Sequence, residues 1–217
     1  MRQTQSRFSL TGVTDTAIAN RLADLAESDR LAEANLMLAR LVRPELDPAP
    51  VLARIQVMAS SVDGSSHLAL RRVISIKEGI GGNFDDYENV DNHFLDTVLA
   101  TRRGVPIALS VLWIEVGRRA GIDMEGVGLP GHFLIYAGGQ LVDPFHYGEA
   151  IGFDEAASLV ASALGGQPRA DRSWLEPVPS VVIVRRMLLN LEKLYMERGE
   201  SNHLEWVAAC LQALPPP

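Results

Sequence analysis

Cysteine is nearly absent from this 217-residue chain, which holds Cys210 alone. An intramolecular disulfide is thereby excluded, and a single thiol near the tail fits a reducing compartment, the cytoplasm. Positive charge is also short: 20 Lys and Arg against 27 Asp and Glu leave a formal net charge of −7 and an isoelectric point near 5.2. A nucleic-acid groove needs clustered cations, so no nucleic-acid partner is expected. The doublets Arg71-Arg72, Arg102-Arg103, Arg118-Arg119 and Arg185-Arg186 read as solvated helix faces or helix ends. No apolar run approaches the roughly 18 residues of a membrane span, so no membrane partner is expected. The polar start Met1-Arg2-Gln3-Thr4-Gln5 leads into no apolar signal segment.

What is present is a core. Hydrophobic residues make up 47% of the chain, enough for one domain or one domain with an appendage. After a polar stretch over residues 1 to 15, helical spacing of apolar residues covers Ala17 to Val42 and Pro50 to Val62, with Arg43-Pro44 ending the first run and Asp47-Pro48 opening the second. A third helix is predicted from Ser65 to Glu78, followed by a sharp Gly81-Gly82-Asn83 loop whose backbone angles favour glycine. Asp91-Asn92 offers a cap for a helix through Ala100. Pro106 to Ala120 is apolar nearly all round, which marks a buried helix, and Asp154 is read as the cap of a helix through Leu164. Pro168, Pro177 and Pro179 make residues 167 to 180 a linker candidate. Beyond it, Val184, Leu188, Leu191 and Tyr195 form one helical face and Leu204, Val207, Leu211 and Leu214 another, so residues 181 to 214 read as a helical hairpin broken at Gly199.

Chemistry gathers around His132. The segments 132–136 and 140–143 have strand composition, and the two-residue Gly138-Gly139 turn between them suits an antiparallel hairpin. That turn sets Leu134 opposite Asp143. His132 lies two residues before Leu134 on the same face, so it becomes a diagonal neighbour of Asp143. A carboxylate orienting an imidazole is two thirds of a nucleophilic triad. The same pair equally serves to hold a hairpin together, and both readings stand at this level.

The series Gly126 to Gly131 satisfies G-x-G-x-x-G, yet it is read as lying between a helix and a strand. A dinucleotide fingerprint needs the reverse order, and that reading is rejected. His132, Asp143 and His146 offer three ligand types, but no HExxH or paired CxxC accompanies them, so no metal and no cofactor are expected.

The runs Gly82-Asn83-x-x-Asp86-Tyr87, Asn92-x-Phe94-Leu95, Arg102-Arg103-Gly104-Val105-Pro106-Ile107 and Gly126 to Leu134 resemble the bacterial SirB family of the transglutaminase-core superfamily. The resemblance is close over residues 44 to 150 and weaker over the tail, where such proteins carry tetratricopeptide-like helices. It implies an α+β, papain-like core with a central buried helix and a small antiparallel sheet, a helical N-terminal cover and a C-terminal helical hairpin. The domain plan is then 16–166, a linker at 167–180 and a hairpin at 181–214. His132 and Asp143 match the superfamily histidine and aspartate, whereas Pro106 stands where a catalytic cysteine belongs. Proline suits the first position of a helix but attacks nothing.

Ser110, one turn later, is the nearest hydroxyl; the bland reading bonds it to carbonyls of its own helix. Cys210 reads as a small packed hydrophobe. Asn83, Tyr87 and Asn92 match the family loop, with Tyr87 beside the pocket. The expectation is a noncatalytic binding or regulatory protein for a peptide, a protein or a polar small molecule, with Asn83, Tyr87, Asn92, Pro106 and His132 at its site. The alternative is a hydrolase or acyltransferase using His132 and Asp143 with Ser110 or an activated water.

Overall fold

Helix α6, Pro106–Arg119, is the element around which the others are arranged, because every residue from Pro106 to Gly117 is buried. The computed structural model describes residues 12–166 and 171–216. The polar stretch through residue 11 and positions 167–170 of the proline-containing segment lie outside the described residues.

In chain order the helices before α6 are α1 (Gly12–Glu27), α2 (Leu31–Val42), α3 (Ala49–Ser60), α4 (His67–Arg71) and α5 (Leu95–Thr101). A π-helical stretch, Arg72–Lys77, continues α4, and a 3-10 turn, Val90–His93, precedes α5. Two short strands, β1 (Gly81–Gly82) and β2 (Arg103–Gly104), pair in parallel. After α6 come β3 (Met124–Leu129), β4 (His132–Ala137), β5 (Gln140–Asp143) and β6 (Glu149–Ala150), an antiparallel sheet in that order. Then follow α7 (Phe153–Leu164), a 3-10 turn (Arg172–Leu175), α8 (Ser180–Arg198) and α9 (Ser201–Ala213). The fold is α+β. Helices α2, α3 and α5 pack on α6, while β3 and β4 cover another side. Among the described residues no helix is long and apolar enough to cross a membrane.

Glu115 is the one acid inside α6, and the fold uses it. Its Oε1 accepts the Ala32 N–H at 3.1 Å, satisfying a donor in the first turn of α2, while Arg119 pairs with Oε2 at 3.1 Å. The apolar periodicity from Ala17 to Val42 therefore belongs to two helices, not one. Ser28-Asp29-Arg30 separates them, with Asp29 at φ 57°. Apolar spacing runs through this break, which is why periodicity alone missed it. Helix α1 begins at Gly12 and lies against α9 and α8, so this part of the N-terminal cover lies on the tail.

Other local expectations need correction. Asn89, not Asp91, accepts the capping N–H, from Asp91 at 3.0 Å, because a 3-10 turn precedes α5. Gly152 stands at the start of α7, where Glu155 reaches back to its N–H at 3.0 Å, and Asp154 is inside the helix. Gly126 to Leu129 lies within strand β3, and a second strand follows it, so the dinucleotide motif still fails on context. Gly81 and Gly82 are demanded by space, not by backbone angle: a Cβ on either would enter the rings of Tyr147 or Phe145.

The proline-containing segment, from Asp171 onward, packs on the sheet. Asp171 accepts the Ser173 N–H at 2.9 Å, Trp174 and Leu175 adjoin the cluster of Val127, Leu129 and Leu134, and the Val178 N–H donates to the Gly126 carbonyl at 2.9 Å. Gly199, at φ 68°, separates α8 from α9, and the pair packs together.

Candidate functional site

The hairpin register is Ile135 opposite Val142 and Ala137 opposite Gln140, around glycines at φ 58° and 80°. Extending it puts Leu134 opposite Asp143, and His132 Nε2 lies 2.9 Å from Asp143 Oδ2. His146 Nδ1 approaches the same oxygen at 2.8 Å. The other carboxylate oxygen, Oδ1, accepts the Phe145 N–H at 2.9 Å. Burial pushes the Asp143 carboxyl up, but the hydrogen bonds and charges of His132 and then His146 outweigh it, and its pKa lies below the usual carboxylate value. An ionised Asp143 accepts only, so the facing nitrogens Nε2 of His132 and Nδ1 of His146 carry protons. In the neutral ring Nδ1 of His132 is then the acceptor. Phe145 packs edge-on to His132, with centroids 5.9 Å apart, and holds the ring.

Metal-ligand chemistry is available here in kind: one ligand atom each from His132, Asp143 and His146 lies within 4.8 Å of the others. The two imidazoles already satisfy Asp143 Oδ2 as hydrogen-bond donors.

His132 and Pro106 share a cavity of about 220 Å³ between the core and α8. Tyr87 and Glu88 form one wall, and Arg186, Asn190 and Lys193 form another. Burial raises the Tyr87 pKa, with Glu88 adding to the rise and Arg186 opposing it. Ser110 is not part of the cavity. It is fully buried, and its hydroxyl donates to the Phe133 carbonyl on β4 at 3.4 Å, across to the sheet and not along its own helix.

Of the remaining expected residues, Tyr87 lines the cavity, while Asn83 and Asn92 build the loop that presents it. Asn83 Nδ2 donates to Asn92 Oδ1 at 3.0 Å, and Asn92 Nδ2 donates to the Asp86 carbonyl at 2.6 Å. Cys210 is buried in α9, away from the cavity lining.

Two features were missed from sequence. Residues 186, 190 and 193 carry a polar stripe at helical spacing, which a search beyond the apolar face of α8 would have found. His93 also lines the cavity; it is 8% exposed, its Nδ1 has no hydrogen-bond partner among the described residues, and burial and then Arg198 lower its pKa to about 4. Asn35 positions it by donating to the His93 carbonyl at 2.8 Å.

A buried helix opening beside an imidazole on an antiparallel strand, with an aspartate on the next strand, is a transglutaminase-like layout. The chain belongs to the Transglutaminase-like superfamily, whose family profile matches residues 32–189. It is 34% identical over 191 residues to a UPF0162 protein of Xylella fastidiosa, covering 81% of this chain and 67% of that protein. A UPF0162 protein of Pseudomonas aeruginosa is 27% identical, over 80% of this chain and 68% of its own. The chain thus spans about two thirds of the length of these relatives. A shorter stretch of 70 residues is 40% identical to mouse F-box only protein 21, covering 30% of this chain and 11% of that one. No solved structure matches.

Proposed function

We propose that this protein is a noncatalytic member of the superfamily, a binding or regulatory protein that holds a peptide or a polar small molecule in the cavity beside His132. The observation that carries the reading is Pro106 at the first position of α6, lining the same cavity as His132. A base and its orienter are present, but no Cys, Ser or Thr stands among the cavity-lining residues. Without a thiol or an aliphatic hydroxyl there, the neutral ring of His132 supplies a hydrogen-bond acceptor at Nδ1, and Asp143 keeps it in that tautomer. Recognition then replaces acyl transfer.

The reading includes a SirB-type assignment, which the loop and Arg102-to-Ile107 motifs support, and a cytoplasmic setting. It also includes a tetratricopeptide-like hairpin over residues 181 to 214, joined to the 16–166 domain through 167–180. Such repeats need neighbours to bury their faces, and here α9 lies against α1. The test is native mass spectrometry of the intact purified chain beside an Asn190→Trp variant, whose indole fills the cavity. A species retained by wild type and absent from the folded variant is expected. Equal retention by both, or none by wild type, overturns the cavity as the binding site.

A further inference from the structure

Arg186 is a cation without an acid. Its guanidinium is removed from much of the solvent and donates to the Leu129 carbonyl at 3.2 Å, yet no carboxylate among the described residues forms an ion pair with it. Burial lowers its pKa, with Tyr87 opposing the shift. Among the other half-buried cations Arg43 holds Asp91 and Asp96, Arg54 holds Glu78 and Arg119 holds Glu115, whereas Arg71, Arg103 and Arg185 donate to backbone carbonyls. Of the described arginines without an acid partner, Arg186 is the one that lines the cavity.

Its neighbours on α8 deepen the contrast. Asn190, one turn on, forms no side-chain hydrogen bond among the described residues, and Lys193, two turns on, meets only Glu197 at 3.8 Å on the exposed side. Pro106 and Ile107, which line the same cavity, open α6, where first-turn N–H groups have no intrahelical acceptor. Donors therefore converge from two elements on one space.

We propose that this cavity takes the carboxylate of a small acid or of a peptide C-terminus, with Arg186 as its principal partner and Asn190 and Lys193 as accessory donors. This rests on the reading of the cavity as a ligand site and names the chemistry of its ligand. Guanidinium geometry suits a planar carboxylate, which accepts two parallel N–H bonds. The acid in the lining decides against a phosphate. Glu88 faces the same cavity, and a second negative charge on the ligand would meet it. A volume of about 220 Å³ holds one residue or a short acid, not a folded segment.

The experiment is heteronuclear NMR titration of the intact chain with N-acetylalanine, its C-terminal amide, an acetylated tripeptide acid, the same tripeptide amide, and inorganic phosphate. Both acids are expected to shift the Arg186 side-chain Nε–H and the Ile107 and Ala108 amides, with the amides and phosphate far weaker. Tighter binding of the tripeptide acid assigns a peptide terminus, and equal binding assigns a free acid; either outcome supports carboxylate recognition. Arg186→Gln weakens acid binding about tenfold or more, the worth of a charge-assisted hydrogen bond. Glu88→Gln strengthens it several-fold, a gain that damage to the fold cannot produce. Acid and amide binding equally at these residues overturns the carboxylate inference and leaves the cavity as a ligand site. Phosphate binding better than the acids overturns it too. Shifts confined to other surfaces, or none with any probe, overturn both.

Discussion

His132 Nε2 stands 2.9 Å from Asp143 Oδ2, and the imidazole shares its cavity with Pro106 at the start of α6. The hairpin register that brings His132 to Asp143 is set by a two-glycine turn. The site therefore offers its own test by addition.

Pro106→Cys places a thiol at the start of α6, where the helix dipole and His132 favour the thiolate. In a folded variant, iodoacetamide should modify the new cysteine faster than an exposed control thiol at neutral pH, while buried Cys210 reacts slowly. A rate no greater than the control would remove the remnant-triad interpretation. Wild-type protein should show no cysteine-dependent acyl transfer, with or without Cys210→Ser.

Asp143 carries structural weight beyond orientation, since it accepts from His132, His146 and the Phe145 N–H. Asp143→Ala should cost about 3 kcal/mol in urea denaturation at pH 7, because it leaves buried donors without a partner. Asp143→Asn should cost less. Because the folded pKa is depressed, the stability that Asp143 contributes is present above the unfolded carboxylate value of about 3.9 and lost as pH falls below it.

His93 acts in a higher window. Its pKa falls from the ordinary 6.5 to about 4 in the folded protein. The unfolded chain therefore binds a proton first, and stability should decline as pH drops from 6.5 toward 4, by up to about 3 kcal/mol. A His93→Phe variant should lose most of that slope in chemical denaturation measured across the range. An unchanged slope would place the sensitivity elsewhere.

Gly148 and Gly139 separate two costs of replacing a glycine. Both have positive φ, 73° and 80°, but a Cβ at Gly148 would enter the Trp113 ring, whereas none would meet an atom within 4 Å at Gly139. Gly139→Ala should cost about 1 kcal/mol from backbone strain alone. Gly148→Ala should cost at least about 2 kcal/mol more by thermal or urea unfolding, because the buried indole must move.

Local rules made the hairpin, the proline-opened buried helix and the tail break at Gly199 legible, since turn length, helix-start chemistry and glycine at a helix end act over a few residues. Long-range contacts hid the rest. Glu115 caps α2 from another helix, Tyr147 and Phe145 impose Gly81 and Gly82, and Ser110 bonds to a strand that lies 23 residues away. Arg186 shows the limit best. Its doublet with Arg185 reads as solvated surface until α8 docks, and docking alone turns it inward.

The cavity joins walls with different obligations. His132, Pro106 and Phe133 belong to the elements that hold the core, where a substitution disturbs the register or α6 itself. Residues 186, 190 and 193 lie on one polar stripe of α8 that borders the cavity, while its apolar positions Val184, Leu188 and Leu191 are buried in packing. If the cavity takes a ligand as proposed, substitutions at these three positions should change which ligand it prefers while leaving the packing of α8 in place.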